Sequence, residues 1–353
     1  MLQILDRYLL LNILSGTLIA LLVLVALDAF FSFLNELDDV GKGNYDTTRA
    51  LYYILLTLPR RLYEFAPTAT LLGGLLSLGT LASHGELTAL RAAGLSVSGF
   101  AAKVIKSGFV IVLAVFAIGE FVAPTAEQRG QLLRAESLSE QLGLAGGQGL
   151  WIRQQPWFLQ AREIPSEEHL RHLRIFRFES SRLRELVTAE AAQRNAEGWL
   201  LQGVQRLRID DEGVTREFLE TEQWPELVTR QMFEVLRVTP DQMSIRTLQS
   251  YIDYLEVNGL DTARYRLAWW TRIVTPLSTL VMLVLALPFV FGSQRVGGTG
   301  QRLFIGIILG IGYFLISNLF NEIGVVYGLA PIVSVALPPL LFAGFALWRL
   351  QRV

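Results

Sequence analysis

The chain has 353 residues, 52% of them hydrophobic and only 18% charged, and its mean hydropathy is +0.39. A soluble protein of that length carries more charge, so the composition indicates a polytopic membrane protein. A net charge of −1 gives no basic field for nucleic acid, and the absence of cysteine excludes disulfides and thiolate metal sites.

In chain order, the first apolar stretch, Tyr8–Phe33, runs about 26 residues, well beyond the roughly 7–15 of a signal-peptide core. No small-x-small cleavage pattern follows it, so it is expected to stay as a first span. Spans are expected near Leu9–Phe33, Phe65–Ala82, Val104–Ala123, Ala268–Phe291, Leu303–Glu322 and Pro331–Trp348. Each approaches the roughly 20 apolar residues that cross a bilayer as a helix. Leu51–Leu58 is too short to cross and precedes Pro59-Arg60-Arg61, so it reads as a separate interfacial helix leading into span two.

Short-loop charge sets the expected orientation. Arg7, Arg91, Lys103, Lys106, Arg295, Arg302, Arg349 and Arg352 fall on one side, which is therefore expected to be cytoplasmic, with both termini. Lys42, Arg49, Arg60 and Arg61 fall on the other, and Trp269 and Trp270 beside Arg272 suit its headgroup region.

Between spans two and three, Ser83 and Glu86 have the spacing of a capping box, and Gly94 is a fitting helix stop. The spacing predicts a cytoplasmic helix over 83–94, with Leu87 and Leu90 on one stripe and Arg91 at the negative end of the helix dipole. Two readings stand: a capped interfacial helix, or a coupling helix that docks on a cytoplasmic partner. Asp28 is the carboxylate inside span one; it reads either as a functional group or as a partly hydrated packing residue near the outer end. Glu120 and Glu322 are expected in solvent. Gly306 and Gly310, with Gly312 beside them, and the pair Gly73 and Gly74 allow close helix approach, as static packing or as a movable seam.

The polar block after span three begins with a helical extension, Pro124–Leu142, ended by the glycine-rich Gly143–Gly149. Strand-like runs follow at Leu150–Arg153, Trp157–Glu163, Leu173–Glu179, Leu186–Gln193, Trp199–Ile209, Val214–Thr221 and Met232–Val238. Their number and spacing predict a sandwich or jelly roll, returned to span four by an amphipathic helix over Ser244–Val257. Phe158, Ile175, Phe176 and Phe178 read either as a periplasmic lipid groove or as ordinary core. His169 and His172, near Glu167 and Glu168, are expected in a solvated loop or helix before a strand, and no metal site is expected. No nucleotide-binding glycine loop with its Lys-Ser or Lys-Thr pair is present. No chain of buried carboxylates runs through the spans either, so energy is expected from a separate ATPase.

The three-plus-three layout resembles the LptF/LptG family of lipopolysaccharide export permeases. The resemblance rests on Leu5-Asp6-Arg7-Tyr8, Glu86-Leu87 through Ala93-Gly94, Gly119-Glu120-Phe121-Val122-Ala123-Pro124 and Gln148-Gly149-Leu150-Trp151, in that order over essentially the whole chain. The first and last of these are more like the LptG branch than the LptF branch. The resemblance implies a polytopic α-helical protein with a periplasmic β-jellyroll insertion. Its parts would be spans one to three in 1–123, the β domain with flanking helices in 124–260, and spans four to six in 261–353. It implies a multi-pass protein of the bacterial inner membrane and a non-catalytic subunit with no cofactor of its own, ATP and Mg being bound by the partner ATPase. The implied partners are an LptF-like permease in a heterodimer, an LptB-like ATPase dimer, LptC and an LptA bridge, with lipopolysaccharide as cargo. It further implies acyl-chain contacts at Leu27, Phe30, Phe31, Phe304, Ile308 and Phe314, and ATPase coupling at Glu86, Leu87, Leu90 and Arg91. Gly306 and Gly310 would pack the gate. Lys42, Arg49, Arg60 and Arg61 are the candidates for the lipid phosphates, beside an acidic Asn35-Glu36-Leu37-Asp38-Asp39; otherwise the partner permease supplies that charge. A membrane-anchored periplasmic scaffold or sensor is the alternative, and a polytopic enzyme ranks last.

Overall fold

The computed structural model describes residues 2–138, 150–154, 157–166, 168–179, 182–195, 198–210, 213–224, 227, 239–291 and 299–352. Its helices are α1 (Leu2–Leu37), α2 (Thr47–Ser83), α3 (Glu86–Ala92), α4 (Val97–Ala117), α5 (Ala123–Leu138), α6 (Ile245–Val257), α7 (Ala263–Phe291), α8 (Thr299–Tyr327) and α9 (Pro331–Leu350). Among the described residues, six helical segments are long and apolar enough to cross a membrane. At 1.5 Å per residue α1 is about 54 Å long, so it outreaches a hydrocarbon core of about 30 Å.

The predicted interfacial helix Leu51–Leu58 is not separate. It is the first part of α2, which continues through Pro59 and Pro67. A proline removes one backbone hydrogen bond but only bends a helix that is held by packing on both sides. Here α1, α5, α7 and α8 all pack on α2, which makes it the hub of the bundle. Its core contacts include Leu71 and Leu75 against Met282, Leu285 and Ala286 of α7, all buried.

Glycine sets the closest of these contacts. α1 and α2 cross at Gly16 and Gly73: a Cβ on Gly16 would stand 2.7 Å from the Gly73 carbonyl oxygen, and one on Gly73 would overlap the Thr17 backbone. A Cβ on Gly306 would meet Leu75 at 2.7 Å and Leu72 at 2.8 Å, and one on Gly310 would meet Thr68 at 2.5 Å. The two glycines therefore seat α8 on α2, whereas Gly312 has open space around it.

The insertion is all-β. Strands β1 (Leu150–Gln154), β2 (Trp157–Ser166), β3 (His169–Glu179), β4 (Arg182–Asn195), β5 (Gly198–Asp210) and β6 (Gly213–Trp224) pair in chain order as one antiparallel meander. Alternation places Leu159, Ile175 and Val187 side by side on the buried face, and Ala161, Leu173 and Ala189 likewise. Full burial of a leucine or isoleucine side chain stabilises by about 1.5–3 kcal/mol, so these rows hold the sheet to its register. The buried face changes parity on three strands together, between Leu173 and Leu170, Ala189 and Ala192, and Val204 and Leu201. The change falls at His172 and Gly203, whose φ angles are 52° and 63°. Those values bend the strands into a corner. His169 and His172, expected ahead of the strand, are thus part of β3. The glycine-rich Gly143–Gly149 and the expected strand Met232–Val238 lie outside the described residues.

Candidate functional site

Four regions hold the residues singled out above. At one end of the bundle, α3 packs beneath α1 and α2. Its start differs from the capping box expected of Ser83 and Glu86. Helix α2 runs through Ser83, whose hydroxyl donates back to the Thr80 carbonyl at 2.9 Å. The residue before α3 is Gly85 at φ 77°, with no side-chain cap, so the helix has seven residues rather than the full 83–94 segment. Freed from capping, the Glu86 carboxylate accepts a hydrogen bond from the Tyr8 hydroxyl of α1 at 2.7 Å. Leu87 is buried among Leu9, Leu78 and Leu81, and Leu90 is half-buried against the same cluster. The two leucines therefore anchor α3, and Thr88, Ala89 and Arg91 form its exposed edge. Gly94 ends the segment at φ 92°, as its position predicts.

The six expected acyl-chain residues are all exposed, between 53% and 63%. They lie on α1 and α8, which flank α2. Reading height along α2, Leu27, Phe30 and Phe31 stand near Arg61, with which Asp28 forms an ion pair. Phe304 and Ile308 bracket Gly306, at the level of Leu72 and Leu75. The two sets lie at different depths of the bundle rather than in a ring at one depth, and Phe314 falls between those levels.

At the end that carries the insertion, all four expected phosphate-binding cations already have partners in this chain. Lys42 pairs with Asp39 at 2.6 Å. Arg49 donates to the Asn44 carbonyl at 2.7 Å and to the Ser137 hydroxyl at 3.1 Å. Arg60 pairs with Glu64 at 2.7 Å and lies 3.6 Å from Glu127. Arg61 is held by Asp28 and by the Ser32 hydroxyl at 2.6 Å. Asp28 is thus an interhelical ion-pair partner, which resolves its two readings toward packing.

The acidic stretch has a structural use as well. Arg134 of α5 binds Glu36 at 3.0 Å and Asp39 at 2.5 Å, and the buried Tyr45 donates to Glu36 at 2.8 Å. These bonds clasp the end of α1 to α5. The Lys42 ammonium holds the Asp39 carboxyl below the ordinary carboxylate range. A carboxyl so lowered stabilises the fold above its unfolded-state pKa, and that contribution is lost as pH falls through the folded value. Asp39→Asn is therefore expected to melt lower than the parent protein at pH 7, with the gap closing on acidification. A thermal melt followed from pH 7 downward checks this; a gap that stays constant contradicts the clasp.

On the sheet, Phe158 faces Phe176 across β2 and β3, and its ring meets that of Phe178 edge-on at 5.5 Å. Ile175 does not join them. It points to the opposite, buried face, because alternate residues of a strand leave opposite sides. There it borders a cavity of about 300 Å³ shared with Trp157, Arg177, Glu185, Val187 and Trp224.

Sequence reasoning missed a buried polar knot where the insertion rejoins the spans. Arg272 is 5% exposed and donates to the carbonyls of Gly119 at 2.8 Å and Asp241 at 2.7 Å, with the Tyr63 ring 5.2 Å away. Gly119 lies in a π-helical turn, Ile118–Val122, and its missing Cβ leaves room for the Tyr63 ring. Glu120, expected in solvent, accepts the Ile245 backbone N–H at 2.9 Å and so caps α6. Glu127 is 1% exposed and accepts from Gln242 at 3.1 Å. The signal available in the sequence was the charge itself, since an ionisable group beside a span needs a partner.

With this geometry in hand, comparison with known proteins is specific. The family described as lipopolysaccharide export system permease LptF/LptG matches residues 7–352. The lipopolysaccharide export system permease protein LptG of Escherichia coli K12 is 34% identical to this chain over 99% of the chain and 98% of its own length. The protein of the same description from Haemophilus influenzae is 33% identical over 100% of the chain and 99% of its own length.

Proposed function

Because the chain belongs to the LptF/LptG family of lipopolysaccharide export permeases, we propose that it is the membrane-spanning permease subunit that takes lipopolysaccharide from the inner membrane toward a periplasmic bridge. The observation that carries this reading is the match to the family over residues 7–352 in a chain with six membrane-capable helices. Apolar side chains exposed on spans face acyl chains or a partner's helices, and Leu27, Phe30, Phe31, Phe304, Ile308 and Phe314 are so placed. The charge bias of the short loops puts α3 and both termini in the cytoplasm and the sheet in the periplasm. A second, LptF-like permease would complete the cavity, and an LptB-like ATPase dimer would bind ATP and Mg and dock on the exposed edge of α3. LptC and LptA would receive the lipid beyond the sheet. Since all four outer cations here are engaged within the chain, the partner permease is the better source of charge for the lipid A phosphates.

The test is a photo-crosslinking amino acid placed at Leu27, Phe30 or Phe314 in the membrane-extracted complex. Lipopolysaccharide adducts that depend on ATP are expected at these three positions. At Leu340, which is 64% exposed on another span, α9, none are expected. Equal labelling at all four sites sinks the cavity assignment. Copurification of a second six-span protein and a soluble ATPase is expected in the same preparation. Export supported by residues 124–260 on a single-span anchor would instead favour a scaffold.

A further inference from the structure

The first turns of α1 grip both sides of the segment that carries α3. Tyr8 donates to Glu86 at the start of α3, 2.7 Å away. Two residues earlier, Asp6 binds Lys103 at 2.6 Å and Lys106 at 2.8 Å, on the helix that follows α3. Further up, α1 touches α2 backbone to backbone at Gly16 and Gly73. On one flank of this part of α1, an open groove of about 390 Å³ is bordered by Tyr8, Asn12, Ile19, Leu76, Ser77 and Glu86, while Leu9 and Ile13 on the opposite flank are buried in the core. Close-packed interiors resist displacement, so the groove leaves the foot of α1 room on that flank that the backbone contact at Gly16 and Gly73 does not have.

We infer that Tyr8 is the positioning residue that passes movement of α3 to the first span, with Gly16 and Gly73 as the fulcrum of a lever. From Tyr8 to Gly16 is about 12 Å along the helix, and from Gly16 to Asp28 about 18 Å, at 1.5 Å per residue. A rigid helix on that pivot enlarges a displacement at its foot by about one and a half times at Asp28. The far arm carries Leu27, Phe30 and Phe31, and Asp28 with Ser32 holds it to Arg61 of α2 until the foot moves. Asp6 ties the foot to Lys103 and Lys106 of α4. The Tyr8 hydroxyl makes the hydrogen bond to α3 itself.

The inference rests on the permease reading, and the test separates the two. The complex carrying Tyr8→Phe is reconstituted in proteoliposomes, and lipopolysaccharide delivered per ATP hydrolysed is measured. Losing one hydrogen bond to a charged group is expected to lower that ratio on the order of tenfold while ATP hydrolysis stays within about twofold. Tyr8→Phe combined with Glu86→Ala is expected to fall no further than Glu86→Ala alone, as for two halves of one link. Spin labels at Leu27 and Phe314 are expected to change separation on nucleotide binding in the parent complex and not in Tyr8→Phe. An unaltered transport ratio together with an unaltered label shift in Tyr8→Phe overturns the lever. If the parent complex moves no lipopolysaccharide, the permease reading fails, and the label separation still decides whether Tyr8 couples α3 to α1.

Discussion

Replacing Glu86 with lysine is expected to abolish lipopolysaccharide export while leaving the protein inserted in the membrane. The substitution removes the acceptor of the Tyr8 hydroxyl, an interaction made at 2.7 Å. Hydrogen bonds to charged groups contribute about 1.5–3 kcal/mol. It also puts a cation in the first turn of α3, where the helix dipole favours an anion by about 0.3–1 kcal/mol at an exposed site. Neither term unfolds a bundle of six spans, and Leu87 still anchors α3 in the core with 6% of its surface exposed. What changes is the charge at the start of α3 and the link to α1. The measurement is ATP hydrolysis and lipid release by the purified complex, beside a protease-protection assay for insertion. Normal hydrolysis and normal release from Glu86→Lys would falsify a coupling role for this residue. Leu87→Asp makes a useful contrast, since it removes the anchor rather than the link. It is expected to lower the amount of folded protein, because a carboxylate would replace an apolar group in the core.

Gly73→Leu is expected to prevent the first three spans from assembling. Even a single Cβ at Gly73 overlaps the backbone of Thr17, and backbone cannot rotate aside as a side-chain end can. Overpacking a well-packed interior costs about 1–3 kcal/mol when side chains can yield, so a backbone clash at the hub helix costs at least that much. Helix separation would have to grow, and α1 would lose its register on α2, including the pair between Asp28 and Arg61. The expected result is a protein that inserts but elutes as aggregate after detergent extraction. Gly312→Ala is the control, because a Cβ there meets nothing within 4 Å. Gly74→Ala should fall between them, since its Cβ would meet a movable Leu283 methyl at 3.0 Å and the fixed Ala286 Cβ at 3.2 Å, but no backbone. A Gly73→Leu protein that is monodisperse and as heat-stable as the parent would refute the crossing.

Both substitutions act on features of different legibility. The spans could be read because their signal is local: about 20 apolar residues in a row have few other uses. The six described strands likewise coincide with the alternating runs, and Ser244 does cap α6, accepting the Thr247 N–H at 3.2 Å. Ser83 does not cap α3, whereas Ser244 does cap α6. The difference lies upstream, because α2 runs on through Ser83, whereas the short turn Pro240–Gln242 has already ended and Met243 is extended before Ser244. Leu51–Leu58 was cut from α2 for a related reason. Proline reads as a break in a lone helix, and packing on α1 and α5 overrides it.

The charges are where the sequence was least informative. Asn35 to Asp39 reads as an acidic mouth ill suited to phosphates, with Lys42, Arg49, Arg60 and Arg61 as the candidate cations. In the fold, Glu36 and Asp39 belong to Arg134, separated from it by 98 and 95 positions. Arg272 finds its carbonyl at Gly119, 153 positions away. The spacing of residues along the chain cannot reveal such pairs, because it reports only what neighbours within a turn or a strand can do.

The sequence by itself determined how many spans there are, where the β insertion lies and which turns end the segments. Those follow from hydropathy and periodicity, which each segment expresses alone. Only the tertiary structure decided that Glu86 holds α1 rather than caps α3, that two glycines set the α1–α2 crossing, and that the outer cations are already paired. A polar group near a membrane carries a large desolvation cost unless it is partnered, so its role is fixed by whichever distant group the folded bundle brings within hydrogen-bonding reach.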